Sequence, residues 1–436
     1  MNRRGDTIMK MKARQEAEHF LNNEKQFHLG MLPTEQSNPK TKDLDKTFTT
    51  NTAEGVKMLL KVDRDVEEMA KRILVGKEFE WMVGAGLKAI GEGRKIVFSG
   101  CGATGRLSIL LESMWRCYFR ELRENHPYLF KVVRKFEDSV FSIMTGGDYA
   151  LIRSVEYFED YQEFGRQQVR EMNITEGDVL IAITEGGETS SVLGTVAEAA
   201  DRGAKIFLLF NNPAEILTRH IERSRIAIED PRVTVLDLYC GPMAVAGSTR
   251  MQATTSEQLI AGAALEKILY GLLQSSLTRE QMEMLSVRET DFATAFSSLL
   301  DELLADGNCT TAGKYIEMEK EIYRENGLVT YFAKEFLLDI FTDTTERAPT
   351  FMLPPFKKFD DLVSPPSWAF VKNPLLPTIE AWEYVLGRAP RCLEWGPGLY
   401  RKMGAPESLV AAPPQLDKTQ IIKFHIGNEA DVSRWS

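Results

Sequence analysis

Between residues 95 and 275 the chain repeatedly runs a short apolar stretch into glycine or hydroxyl residues and then into a helical pattern. This alternation limits the fold more than any other feature. The apolar runs are 95–99, 140–144, 178–184, 204–210 and 233–238. The spacing that follows them predicts a long helix from Tyr149, a helix over 189–200 and another over about 248–273. Strands alternating with helices build a mostly parallel sheet covered on both faces, so the expected class is α/β, a doubly wound parallel sheet. Upstream, Val56, Leu59, Leu60, Val66, Met69 and Ile73 recur at helical spacing, so a helical segment precedes the sheet. After about residue 290 the signals weaken. Residues 328–332 and 421–425 read as strands, whereas 349–414 is rich in proline and aromatic residues and has little periodicity. That half is expected to pack against the first.

Length and charge narrow the classes of function. A chain of 436 residues has room for two or three domains. Its formal net charge of −10 argues against a general nucleic-acid binder, which needs a basic face. The five cysteines (Cys101, Cys117, Cys240, Cys309, Cys392) are odd in number and form no C-x-x-C pair, so neither a zinc module nor a disulfide framework is expected. The first twenty residues lack the apolar stretch of a signal peptide, and no run has the length to span a bilayer. These features lead us to expect a soluble, cytoplasmic protein without nucleic-acid or membrane partners.

Two loops carry the chemistry. The first, Gly100-Cys101-Gly102-Ala103-Thr104-Gly105-Arg106, joins a strand to a helix. Gly102 and Gly105 let the backbone approach a ligand, and the free amides at the helix start favour an anion. Thr104 adds a hydroxyl. A dinucleotide site would want an acid at the tip of the next strand, but that strand ends in Met144-Thr145-Gly146-Gly147. A tight turn without a ligand is the other reading of this loop alone. The second loop, Thr184-Glu185-Gly186-Gly187-Glu188-Thr189-Ser190-Ser191, again follows a strand and opens a helix. Its Thr184, Thr189 and Ser190 hydroxyls and the Gly186 and Gly187 amides suit a phosphate, although Thr and Ser also serve as ordinary caps. Two such loops in one sheet point to one shared crevice. A third segment, 241–251, starts a helix near Ser248, where capping is again the plainer reading. Glu156 and Glu159, three apart on the expected helix, would share a face beside these loops.

These segments, in this order, resemble the sugar isomerase (SIS) superfamily, and within it the branch of N-acetylmuramic acid 6-phosphate etherases and the glucokinase regulatory protein. The resemblance rests on Thr34-Glu35-Gln36-Ser37-Asn38-Pro39, on GCGATGRL, on Glu156-Tyr157-Phe158-Glu159-Asp160 and on Gly247-Ser248-Thr249-Arg250-Met251, together spanning about residues 32–275. It implies that Thr104 serves the first phosphate loop, that Thr184, Gly186, Gly187 and Thr189 serve the second, and that Ser248 serves the third segment. Glu156 and Glu159 match sugar-contacting glutamates, with Glu159 at the position of a catalytic one. There are departures. Gly186 replaces a serine, and Met114 falls where the etherases carry a second glutamate. A stretch like the one holding that glutamate recurs at Asp343-Thr344-Thr345-Glu346-Arg347-Ala348-Pro349-Thr350-Phe351, so Glu346 or Glu112 would have to supply the second acid.

The organisation implied is an N-terminal arm and helix (1–75), an SIS domain with the phosphosugar site (76–285) and a second, degenerate and incomplete SIS-like repeat (290–436). Loss of the second glutamate and of every glycine in the second repeat's loop favours a sugar-phosphate sensor or regulator. Its ligand would be a phosphorylated hexose or amino sugar, with a protein partner such as a sugar kinase. The alternative is a lyase that cleaves the lactyl ether of N-acetylmuramic acid 6-phosphate, and an aldose–ketose isomerase comes third. No metal or other cofactor is expected. A tandem pair could act as a monomer, and a single repeat as a homodimer.

Overall fold

The computed structural model describes residues 3–24, 28–155 and 157–430. At its centre lies a five-stranded parallel sheet in the order β2-β1-β3-β4-β5. The strands are β1 (Ile96–Gly100), β2 (Val140–Met144), β3 (Val179–Ile183), β4 (Lys205–Phe210) and β5 (Val233–Asp237). β1 and β3 are buried along their whole length. Continuous apolar runs therefore replace the alternation of a one-sided sheet. Ile96, Phe98, Ile181 and Phe207 point into one core layer, whereas Val97, Leu180 and Leu208 point into the other. This is the two-face alternation of a strand. Among the described residues, no helix is long and apolar enough to cross a membrane.

The strand order reverses between β1 and β3. In an open α/β sheet, the loops leaving the carboxyl ends of the two strands at such a switch point diverge and leave a crevice. Here those loops are 101–105 and 184–189, the two singled out by sequence.

Local structure departs from the sequence expectations in three places. The long helix from Tyr149 does not form. Short turns at Asp148–Leu151 and Phe158–Asp160 precede a helix confined to Gln162–Glu171. The carbonyls needed to propagate a helix are already taken: Arg106 donates to Leu151 O at 2.9 Å and to Ala150 O at 3.2 Å, and Thr345 Oγ1 donates to Leu151 O at 3.2 Å. The expected strand at 421–425 is instead the end of a helical turn, Lys418–Ile421, started by the Asp417 cap on the Thr419 amide. Ile421 and Phe424, three apart, are both buried there. The helix expected from about 248 begins at Gln252, leaving Ser248 in the preceding turn.

The C-terminal half contains a two-stranded parallel sheet, β6 (Val329–Phe332) against β7 (Ala369–Lys372), with helix Leu337–Phe351 between them. We propose that this single β–α–β unit is the remnant of a second repeat. It shares the first half's core rather than enclosing its own. Leu337, Phe341, Phe370 and Val371 belong to the same buried cluster as Ile96 and Phe98, and further on Trp395 stacks on Phe158 with centroids 5.8 Å apart.

Candidate functional site

The second loop is built to leave donors free. Thr184 donates to Thr189 Oγ1 at 3.0 Å, so this bond leaves the Thr189 hydroxyl its own proton. Thr189 stands at the cap position of helix Ser190–Asp201 but makes no side-chain cap bond. The Ser190 hydroxyl is half-buried at the helix start, beside amides that have no partner one turn back. Gly187 has a φ of +76°, and a Cβ there would lie 2.5 Å from Leu217 Cδ1, so only glycine fits the turn. The Gly186 carbonyl accepts from Asn212, which also donates to Thr34 Oγ1, both at 3.0 Å. That bond ties the N-terminal Thr34–Pro39 motif to the loop. Asn38 and Thr41 then hold the Pro242 and Ala244 carbonyls, each at 2.7 Å, which fixes the third segment. Ser248 Oγ is buried there without a protein partner.

The first loop is closed on itself. Thr104 Oγ1 accepts from the Cys101 amide at 3.0 Å and donates to the Cys101 carbonyl at 2.8 Å. Its hydroxyl therefore caps the helix Gly102–Asn125 and has no proton left for a phosphate, contrary to the sequence expectation. Gly105 serves packing, since a Cβ there would lie 2.8 Å from Met144 Cγ. Burial, reinforced by the Glu159 charge, pushes the Cys101 thiol up to about 12, so this cysteine does not offer a thiolate near neutral pH.

Two carboxylates from distant parts of the chain meet at this loop. Glu159 lies in the turn Phe158–Asp160, not on a helix, and its Oε2 is 4.0 Å from Cys101 Sγ. Glu346, on helix Leu337–Phe351, pairs with Arg106 and lies over Gly102, where an added Cβ would stand 3.7 Å from Glu346 Oε1. Glu156 lies outside the described residues. Glu112 is nowhere near this meeting point. It sits ten residues into its helix, about 15 Å along the axis, and is fully buried among Arg116, Arg388 and Arg391 while accepting from Ser142 at 2.7 Å. Burial opposes its charge, but the three guanidiniums hold its carboxyl below the usual range. Glu112 anchors the C-terminal segment and does not supply a second acid.

Sequence reasoning missed a buried acidic pair beneath the crevice. Burial pushes the Glu185 carboxyl up to about 8, and the Glu346 charge adds to this, while the Thr104 amide and Arg106 oppose it. Glu257 is raised well above the ordinary value by burial and by Glu185, and Asn211 donates to it at 3.0 Å. Glu185 was visible only as an acid inside a glycine-rich loop. Glu257 carried no signal, since it lies mid-helix.

The five-stranded parallel sheet with two helix N-termini at its switch point defines the class, a doubly wound α/β domain. The family described as the glucokinase regulatory protein N-terminal SIS domain matches residues 81–200. The chain is 30% identical over 232 residues to an N-acetylmuramic acid 6-phosphate etherase of Aeromonas hydrophila subsp. hydrophila, covering 53% of this chain and 68% of the relative. It is 29% identical over 235 residues to N-acetylmuramic acid 6-phosphate etherase 1 of Bacillus licheniformis, covering 53% and 67%. Among solved structures, a phosphoheptose isomerase of Neisseria gonorrhoeae is similar over 48% of this chain and 93% of its own, at 17% identity and a TM-score of 0.30. The chain belongs to the SIS superfamily, in the branch of the N-acetylmuramic acid 6-phosphate etherases and the glucokinase regulatory protein. The expectation of a sensor or regulator is overturned by these curated relatives, which are etherases.

Proposed function

We propose that the chain is a lyase that cleaves the lactyl ether of N-acetylmuramic acid 6-phosphate or a closely related 6-phosphorylated amino sugar. The observation that carries this reading is the approach of two carboxylates to the Cys101–Gly102 turn, Glu159 to the Cys101 sulfur and Glu346 to Gly102. Paired carboxyl groups of this kind can move a proton off carbon and onto a leaving oxygen. The Thr189 hydroxyl, the helix start at Ser190 and Ser248 receive the phosphate. Glu159 takes the proton from C2 as the bond between C3 and the ether oxygen breaks. The electron pair left at C2 forms the C2–C3 double bond, and the departing lactate oxygen takes a proton through Glu346, a carboxylate paired with Arg106 that draws it from the neighbouring Glu185 carboxyl, which burial keeps protonated. Water then adds across the double bond, with its hydroxyl going to C3. Because Glu346 belongs to the same chain as the loops, one chain completes its own site.

The test is incubation with N-acetylmuramic acid 6-phosphate in deuterated water. Lactate release with deuterium at C2 of the sugar is the expected result. Exchange without release would keep Glu159 and remove Glu346 from the assignment, and the absence of both would end the etherase reading.

A further inference from the structure

Arg250 is a buried cation with donors to spare. Its side chain is 8% exposed, yet its contacts are long: Nη1 to the Asp343 carbonyl at 3.4 Å and Nε to the Asp343 carboxylate at 3.7 Å. The guanidinium also lies over the Phe351 ring, 5.4 Å from its centroid. A guanidinium carries five N–H donors in a planar fork. Asp343 satisfies few of them: Arg347 holds its Oδ2 at 2.8 and 2.9 Å, and its Oδ1 stands 3.7 Å from Arg250 Nε. Arg106 shows the contrast. It is wholly buried, and its donors are taken by Leu151 O, Ala150 O and Glu346. Burial lowers the Arg250 guanidinium below its ordinary value despite Asp343 and Glu346 nearby, as expected for a charge short of partners.

Placement says which anion fits. Asp343, Glu346 and Phe351 share the helix Leu337–Phe351, so Arg250 lies against the same wall as the proposed acid. The phosphate is assigned to the Thr189 hydroxyl and the helix start at Ser190, with Ser248 two residues before Arg250. The other anionic group of the substrate is the lactyl carboxylate, which is borne by the ether oxygen that Glu346 protonates. We propose that Arg250 receives this carboxylate and so selects the lactyl ether over the sugar phosphate that lacks it. The fork geometry of arginine suits a carboxylate, and a planar, desolvated site favours that pairing. The assignment rests on the etherase reading above.

The experiment uses the full chain and two ligands. The KM for N-acetylmuramic acid 6-phosphate is read from lactate release, and N-acetylglucosamine 6-phosphate is measured as a competitive inhibitor. Arg250→Gln should raise that KM about 10- to 100-fold, the loss expected for a charge-assisted hydrogen bond. The inhibition constant should stay where it was, which also shows that the variant folds. Arg250→Lys should recover part of the KM. An equal loss for both ligands would assign Arg250 to the phosphate or to the fold and overturn the proposal, as would no change in either. Wild-type protein that releases no lactate would remove the etherase reading and this assignment with it. Wild-type release with an unaltered KM in Arg250→Gln removes the assignment alone.

Discussion

The two loops at the switch point look alike in sequence, each a glycine-rich turn with threonines between a buried strand and a helix, but the fold uses them differently. The first is closed: Thr104 is committed to both backbone atoms of Cys101, and Gly105 makes room for Met144. Its face is occupied by carboxylates from elsewhere, Glu159, Glu346 and the buried Glu185. The second is open, with a Thr189 hydroxyl left to donate and a helix start uncovered by any side-chain cap. A helix N-terminus is thus an anion site only where the protein has not already filled it. In the function we propose, the first loop is the wall that gathers acid–base groups and the second is the phosphate cradle.

If that contrast is right, the largest effect belongs to the first loop and should fall on turnover. Glu346→Gln keeps an acceptor for Arg106 but removes the acid, and lactate release should drop about 10²- to 10⁴-fold. Binding of N-acetylglucosamine 6-phosphate should persist, and parallel loss of binding would show that the first loop holds the phosphate after all. A smaller effect separates the threonines. Thr189→Ala should weaken sugar-phosphate binding about tenfold with thermal stability unchanged, as expected for one hydrogen bond to a charged group. Thr104→Ala should instead cost about 1–2 kcal/mol of stability in denaturant unfolding, because it removes a buried cap. Equal binding losses in the two variants would erase the distinction.

A last effect concerns pH and falls on stability, not on the ligand. The Glu185 carboxyl titrates near 8 in the folded chain, against 4.5 as the ordinary value. Between those values the folded state holds a proton that the unfolded state lacks, so this group makes stability fall as pH rises from about 4.5 to about 8. Glu185→Gln should therefore gain melting temperature over wild type progressively through that window, as read by calorimetry. A constant difference across it would mean that Glu185 is not buried against the first loop as described.

The fold was legible because apolar runs followed by glycine and hydroxyl turns leave few alternatives to a doubly wound sheet. The turn of the second loop, with Thr184, Gly187 and Thr189 between a strand end and a helix start, was legible because such a junction has a local composition. The helix expected from Tyr149 failed for a nonlocal reason. Arg106 and Thr345 take the carbonyls it needed, and neither is a neighbour in sequence. Spacing put Glu159 on a helical face, whereas the fold puts it in a turn against Cys101. Glu112 and Glu346 looked equally able to serve as the second acid, and burial among three arginines removed the first.

By itself, then, the sequence determined the strand–turn–helix order, the parallel sheet and the two loops at its switch point, because periodicity and turn chemistry act over a few residues. Only the tertiary structure decided which hydroxyl is free, which carboxyl meets Glu159, and that Arg250 is buried without enough partners. Those properties depend on which donors and acceptors the folded chain brings together from hundreds of residues apart, and no local pattern encodes that.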